Sequence, residues 1–375
     1  MPDPVYGLTY LERFFAVPET AYGTEVTNRP DSDDAFAAIG MDIKRVQAYL
    51  ERRDKIGSRT RPQVVAGGDV RVDVDIQGYL IPSGTPATPP DTDELLKNLM
   101  GSKTVINTTA VTGSTKHVVK VASAAGIAKG TILGITTSGV TELRPVASVA
   151  GTDVTMAVDF TADPAADDPV KAVNYALADA AASSLCLYSY ITNIPLVAKG
   201  VLLGKGTFNF QDQILAMRLT GIGCDDGTPA VGTAPTPNLS GIPVSRSFGA
   251  VFLGSTQTEL LDFSIEIDNS DLLRDIPIGS QITSGISRGL RKVTDSFRVY
   301  VTDSYNAFYQ TAKARTPQSL FIQIGSVAGS VVGFWLPTRI LQIPDIDKSK
   351  PEVQFAFASN YAYGAGNDEL TIALG

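Results

Sequence analysis

The chain has 375 residues, enough for two domains of ordinary size with real cores. Hydrophobic residues make up 43% and charged ones 19%, while 34 glycines and 22 prolines beside many Thr, Val and Ser point to strands joined by turns. The formal net charge of −8 argues against a broad basic surface for nucleic acid; an acidic surface beside DNA would keep the polymer from sticking. The two cysteines, Cys186 and Cys224, are too few for an exported disulfide scaffold and read as reduced packing thiols, with pairing left open. No Met-Lys/Arg start leads into an apolar segment, and no run of about 18 apolar residues occurs, so synthesis in a cytosol and no membrane span are expected.

Residues 1–38 read as an N-terminal arm. Pro18 to Glu25 and Pro30 to Asp34 are too rich in Pro, Gly and Asp for a core element, and Phe14, Phe15 and Tyr22 would give such an arm something to dock with. From Phe36 to Ile56 the pattern suits a strand followed by an irregular stretch, which Lys55-Ile-Gly-Ser-Arg59 breaks. Asp69-Val-Arg-Val-Asp-Val-Asp-Ile-Gln-Gly-Tyr-Leu80 then alternates strictly, as a strand does with one face on a core and one in water. After a turn-rich loop, Asp91-Thr-Asp-Glu-Leu-Leu-Lys-Asn-Leu-Met-Gly101 is the clearest helix. Asp91 is placed to cap it, Leu95, Leu96, Leu99 and Met100 make its apolar stripe, and Gly101 ends it.

Residues 112–175 change character. Short Ala-, Val- and Thr-rich strands separated by glycines suggest a small all-β module inserted into the first domain, which would comprise 39–111 and 176–223. Residues 224–248 form a Pro-rich linker or loop, and 249–375 a second domain. The second half repeats the order of the first: Ser296 to Thr302 echoes the alternating strand, Asp303 to Arg315 the helix, and Ser319–Ile324 with Val331–Leu341 the strands Ser184–Ser189 and Val201–Phe210. The fold class expected is mainly β with a few short helices.

Little in the chain points to catalysis or metal binding. His117, the only histidine, excludes His-based triads and multi-His metal sites within one chain, and reads as a surface residue. Asp31, Asp33 and Asp34, Cys224-Asp-Asp226 and Asp345-Ile-Asp347 lack calcium-loop spacing and read as solvated turns. Gly204-Lys-Gly206 lies in a strand pattern, where a bulge or close backbone contact explains it better than a phosphate loop. Trp335 reads as core or subunit-interface packing. No catalytic, metal or cofactor-binding residue is assigned, and no cofactor is expected.

Several segments carry a family resemblance. Glu19-Thr-Ala-Tyr-Gly-Thr-Glu25, the region Gly249 to Asn269 with Phe263-Ser-Ile-Glu-Ile-Asp-Asn269, and the closing Gly366-Asn-Asp-Glu-Leu-Thr-Ile-Ala-Leu-Gly375 resemble the major tail tube proteins of long-tailed, siphophage-type bacteriophages. The module with Gly130-Thr-Ile-Leu-Gly134 and Glu142 to Met156 is similar to β modules that decorate such proteins. The resemblance implies two tandem tail-tube-type β-barrel or sandwich domains in a non-enzymatic virion protein, made in the host bacterial cytoplasm and placed in the tail. Its partners would be further copies of itself in stacked rings, a tape-measure protein, tail terminator and tip proteins, and DNA passing through the lumen without specific binding.

Without the module about 310 residues remain, close to two single-domain units, so three copies per ring are expected, with six as the alternative. The N-terminal segment and the Cys224–Arg246 loop would act as arms between rings. Asp69, Arg71, Asp73 and Asp75, with Arg298 and Tyr300 on the echoing strand, are the candidate lumen-lining residues. They would give a charge that alternates around the ring, with little to hold DNA phosphates. The rival readings are a virion binding module whose insert recognises host glycans, for which Phe160 and Tyr175 are the insert's only aromatics, and a virion-borne depolymerase.

Overall fold

The computed structural model describes residues 9–51, 58, 64–179, 183–191, 194–210, 214–227, 233–244, 249–280, 282–301, 306–349 and 351–375. The chain is mainly β, with two α-helices among these residues. The strands that matter here are β1 (Arg13–Pro18), β2 (Gly40–Glu51) and β3 (Val64–Tyr79), then, after helix α1 (Asp93–Met100), β4 (Pro169–Leu177), β5 (Leu185–Ile191), β6 (Ile194–Phe210) and β7 (Ala216–Gly223). The second half supplies β8 (Asp262–Asp268), β9 (Lys292–Tyr300), helix α2 (Asn306–Ala314), β10 (Gln318–Val327), β11 (Ser330–Ile340), β12 (Asp345–Asp347), β13 (Gln354–Ala362) and β14 (Thr371–Leu374).

One long antiparallel sheet runs through both halves in the order β2–β3–β7–β6–β8–β9–β13–β12. Its alternation sorts side chains cleanly. Val70, Val72, Val74 and Ile76 of β3, Met217 and Leu219 of β7, Phe263, Ile265 and Ile267 of β8, and Val293, Phe297 and Val299 of β9 are all buried on one face. A second layer of Gly249–Leu253, β10, β11, β14, β4 and Gly101–Thr109 closes over that face. Phe334 of β11 meets Phe208 and Phe263 with ring centroids 5.7 and 5.8 Å apart. The result is an open sandwich whose largest apolar cluster draws on both halves.

Helix α1 fits its pattern: Leu95, Leu96, Leu99 and Met100 are fully buried, and Gly101 ends it at φ +100° with its N–H on the Lys97 carbonyl. The N-terminus differs from expectation. Thr92 occupies the cap without a side-chain hydrogen bond, and Asp91 instead accepts from the Ser240 N–H and hydroxyl at 2.8 and 2.9 Å. The carboxylate therefore ties down the 233–244 loop. Residues 40–51 also differ, forming one continuous 12-residue strand where an irregular stretch was expected. Pairing with β3 keeps the run a single strand across a bulge near Gln47 that no local pattern announces. The expected break at 55–59 lies, except for residue 58, outside the described residues.

The N-terminal segment docks as its aromatics suggest. β1 pairs with β5, burying Phe14 and Phe15, and Glu19 fastens the turn that comes after β1. The Glu19 carboxylate accepts from the N–H groups of Gly23 and Gly200, both at 2.8 Å, from the Cys186 thiol at 3.0 Å and from the Ser184 hydroxyl.

Residues between Thr109 and Pro169 pack around their own cluster, including Val119, Val154, Met156 and Phe160. A second cluster of Ile132, Leu143, Phe321, Val331, Trp335 and Ala373 joins this region to the second half. Arg144 locks the seam: it is buried, lies 5.1 Å from the Phe252 ring centroid and donates to Gln323 Oε1 at 3.0 Å. The composition change expected at 175 falls inside β4, which runs on to Leu177 and pairs with both Gly101–Thr109 and β14.

Candidate functional site: the polar face of the long sheet

The outer face of the long sheet brings the two candidate strands onto one surface. β3 lies beside β7, β7 beside β6, β6 beside β8 and β8 beside β9. Directly opposed residues share a face, so Asp42, Asp75, Thr220, Lys205 and Asp268 form one cross-strand row, and Asp262 stands opposite Arg298. Strand Val64–Tyr79 contains Asp69, whose side chain lies outside the described residues, as does Thr302.

The charges on this face are largely paired. Arg71 bridges Asp73 at 3.2 Å, and Lys205 bridges Glu266 at 2.8 Å. Arg218 makes a forked contact to Asp75, Nε at 3.0 Å and Nη2 at 2.6 Å, and these bonds hold the Asp75 carboxyl below its ordinary value. Arg298 donates from both Nε, at 2.6 Å, and Nη2 to a single oxygen of Asp262. Tyr300 is 41% exposed at the end of β9. The simple alternation of an acidic strand with a basic one is thus levelled by the neighbouring strands. Three of these pairs, Arg218 with Asp75, Lys205 with Glu266 and Arg298 with Asp262, cross between neighbouring strands, while Asp42 stands directly opposite Asp75.

Arg218, Asp262, Lys205 and Glu266 were not among the expected surface residues. The signal was present in Asp262-Phe-Ser-Ile-Glu-Ile-Asp268 and in Met217-Arg-Leu-Thr220, which alternate like β3. What no local pattern shows is that these strands are neighbours.

The remaining candidates fall where ordinary packing or solvation would put them. His117 is exposed, with Nδ1 2.8 Å from Asp159. Asp31 and Asp34 gather around Arg29 and complete a capping box. No group of three or more His, Cys, Asp or Glu suited to a metal ion occurs among the described residues. Cys186 and Cys224 are free and buried, and burial pushes the Cys224 thiol up to about 11. The bulge between Leu203 and Lys205 and the approach of α1 account for Gly204 and Gly206, since a Cβ on Gly206 would stand 2.5 Å from Leu99 Cδ2. Trp335 is buried with its ring centroid 6.3 Å from that of Phe321. Phe160 and Tyr175 are both buried, so neither offers a platform for a sugar ring.

Among the described residues the outer face of the open sandwich is polar, and β2 and β12 each pair with a single strand. The family model described as phage tail tube protein matches residues 10–372, and the chain belongs to that family. It is accordingly a structural component of a phage tail. The comparison with curated proteins gives no match. No helix among the described residues is long and apolar enough to cross a membrane.

Proposed function

We propose that this chain closes into rings of three copies, that the rings stack into the tube of a long, non-contractile tail, and that the polar face of the long sheet lines the lumen through which DNA leaves. The observation that carries this is the junction between β6 and β8, where Lys205–Phe210 pairs antiparallel with Phe263–Asp268. In the first half a hairpin (β2–β3) and a helix lead to β5–β6, and the far end of β6 lies beside β7. In the second half β8–β9 and α2 lead to β10–β11, continued by β12 beside β13. The outer edge of β6 is occupied by β8. Among the described residues no strand pairs with the corresponding edge of β12 or with the outer edge of β2. Repeating the internal junction between copies sets β12 of one copy against β2 of the next and removes both edges.

The size supports three copies. Three eight-stranded sheets give about 24 strands, which at about 4.8 Å spacing and about 40° tilt close a cylinder roughly 48 Å across the backbone. Six copies would double this to roughly 95 Å, far wider than one double helix needs. Two tube units thus share the sheet, 39–111 with 176–223 and 249–375, and the 112–175 module sits behind it. The N-terminal segment and the 224–246 loop serve as contacts between rings. A tape-measure protein would fill the lumen before DNA does, with terminator and tip proteins closing the ends.

A lumen whose anions hold its own cations offers DNA phosphates few free positive charges, and passage stays fast. Changing Asp73 and Asp75 to lysine frees Arg71 and Arg218 and adds two cations per copy. Phage carrying both changes should assemble tubes of normal length and deliver their genome more slowly and with steeper salt dependence. Normal delivery kinetics would contradict the luminal placement.

A further inference from the structure

A trough of about 470 Å³ crosses the polar face of the long sheet. It runs over neighbouring strands from Asp42 on β2, past β3, β7 and β6, to Asp268 at the end of β8 and Asp271 just beyond it. At about 4.8 Å per strand, Asp42 and Asp268 stand roughly 19 Å apart. The middle of the trough is level in charge. Arg71 bridges Asp73, Arg218 forks onto Asp75, and Lys205 is engaged by Glu266. The carboxylates left over stand at the two ends. Asp42 is exposed and makes no ion pair among the described residues, and Asp268 accepts only from the Ser270 N–H, at 2.8 Å.

Asp271 is the member that solvation does not explain. Its side chain is 2% exposed, neither carboxylate oxygen has a hydrogen bond, and its ion pair with Arg288 is long, with Nε 3.7 Å from Oδ1. The Arg288 fork is turned instead to the Asn98 and Leu99 carbonyls at 2.6 and 3.4 Å. Asp271 Oδ2 lies over Gly204, the bulged residue of β6 that also lines the trough, 3.3 Å from where a Cβ would stand. A buried anion short of donors, aimed into a cleft, calls for a cation there.

We propose that this trough binds a linear polyamine, one ammonium group held by Asp271 and Asp268 and the far one by Asp42. A single metal ion fits poorly, because no three acidic, Cys or His side chains among the described residues converge on one point. A chain with ammonium groups at both ends matches carboxylates at both ends, and its methylenes can lie along the bare backbone of Gly204 and Gly221 between them. The site is complete within one copy, so it stands independently of the stacked-ring reading.

Calorimetric titration of spermidine into the dispersed full-length chain at low ionic strength tests this. Saturable binding of one spermidine per chain is expected. Asp42→Asn, at an exposed position, should weaken it roughly fivefold, and adding Asp271→Asn should bring the loss to roughly thirtyfold. Removing two charges outside the trough, with Asp153→Asn and Glu352→Gln, should change the affinity by less than about twofold, since distant charges are screened. Urea unfolding reports whether Asp271→Asn disturbs the fold; where it does, Asp42→Asn alone decides. No saturable binding, an affinity that Asp42→Asn leaves unchanged, an equal loss from the charges removed elsewhere, or magnesium competing as strongly as spermidine at matched ionic strength would overturn the site.

Discussion

Asp295 shows what the inner side of the sheet demands of a charge. It sits on the core face of β9, is 3% exposed, and is bound to Arg339, which has no exposure at all. Burial raises the Asp295 carboxyl and lowers the Arg339 guanidinium, each shift being opposed by the other charge. Asn360 donates to the same carboxylate at 3.0 Å, and the guanidinium carbon lies 4.9 Å from the Phe297 ring centroid. Removing one partner leaves the other charged and without a counter-ion in the core. Arg339→Met should therefore cost about 3–5 kcal/mol, read from the urea midpoint of the unassembled chain, and adding Asp295→Leu should recover much of it. A loss below about 1 kcal/mol for the single change would show that the pair is not buried as described. Residue-scale facts of this kind are the hardest to read from sequence. Alternation along Ser296–Thr302 gives the face of each residue, but it puts Asp295 on the apolar side and is silent about Arg339, 44 positions away.

At the scale of elements, local chemistry was readable and pairing was not. The stripe and terminal glycine of α1 define the helix from sequence alone, and the arm declares its docking through Phe14 and Phe15. The bulged run of 40–51 and the use of Asp91 to hold Ser240 depend on partners far away in the chain. Gly206 joins these two kinds of information. It looks like a weak point in a strand, yet Leu99 of α1 lies over it, and a Cβ there would come within 2.5 Å of Leu99 Cδ2 and 3.3 Å of Leu219 Cδ2. Gly206→Ala should destabilise by about 1–3 kcal/mol through overpacking, measured by thermal or urea unfolding, and combining it with Leu99→Ala should cost less than the sum of the two single changes. Stability unchanged by Gly206→Ala would mean that the helix can shift off the sheet freely.

The whole molecule is best understood through its edges. An alternating strand followed by a helix in each half was legible in the order of elements, because each element carries its own periodicity. That the halves share one sheet was not legible, since the pairing of Lys205–Phe210 with Phe263–Asp268 depends on strands whose sequences say only that each has an apolar side and a polar side. The family match supports a tail tube role, and the proposed meeting of copies starts from β2 and β12, each of which pairs with one strand among the described residues. The measurement that bears most directly on this account is electron microscopy of tubes assembled from the purified chain, averaged along the axis. Rings of three copies with a pseudo-sixfold wall and a continuous inner sheet are predicted, with β3 and β9 facing the lumen. Dispersed monomers at high concentration, or rings whose inner wall is not this sheet, would contradict it.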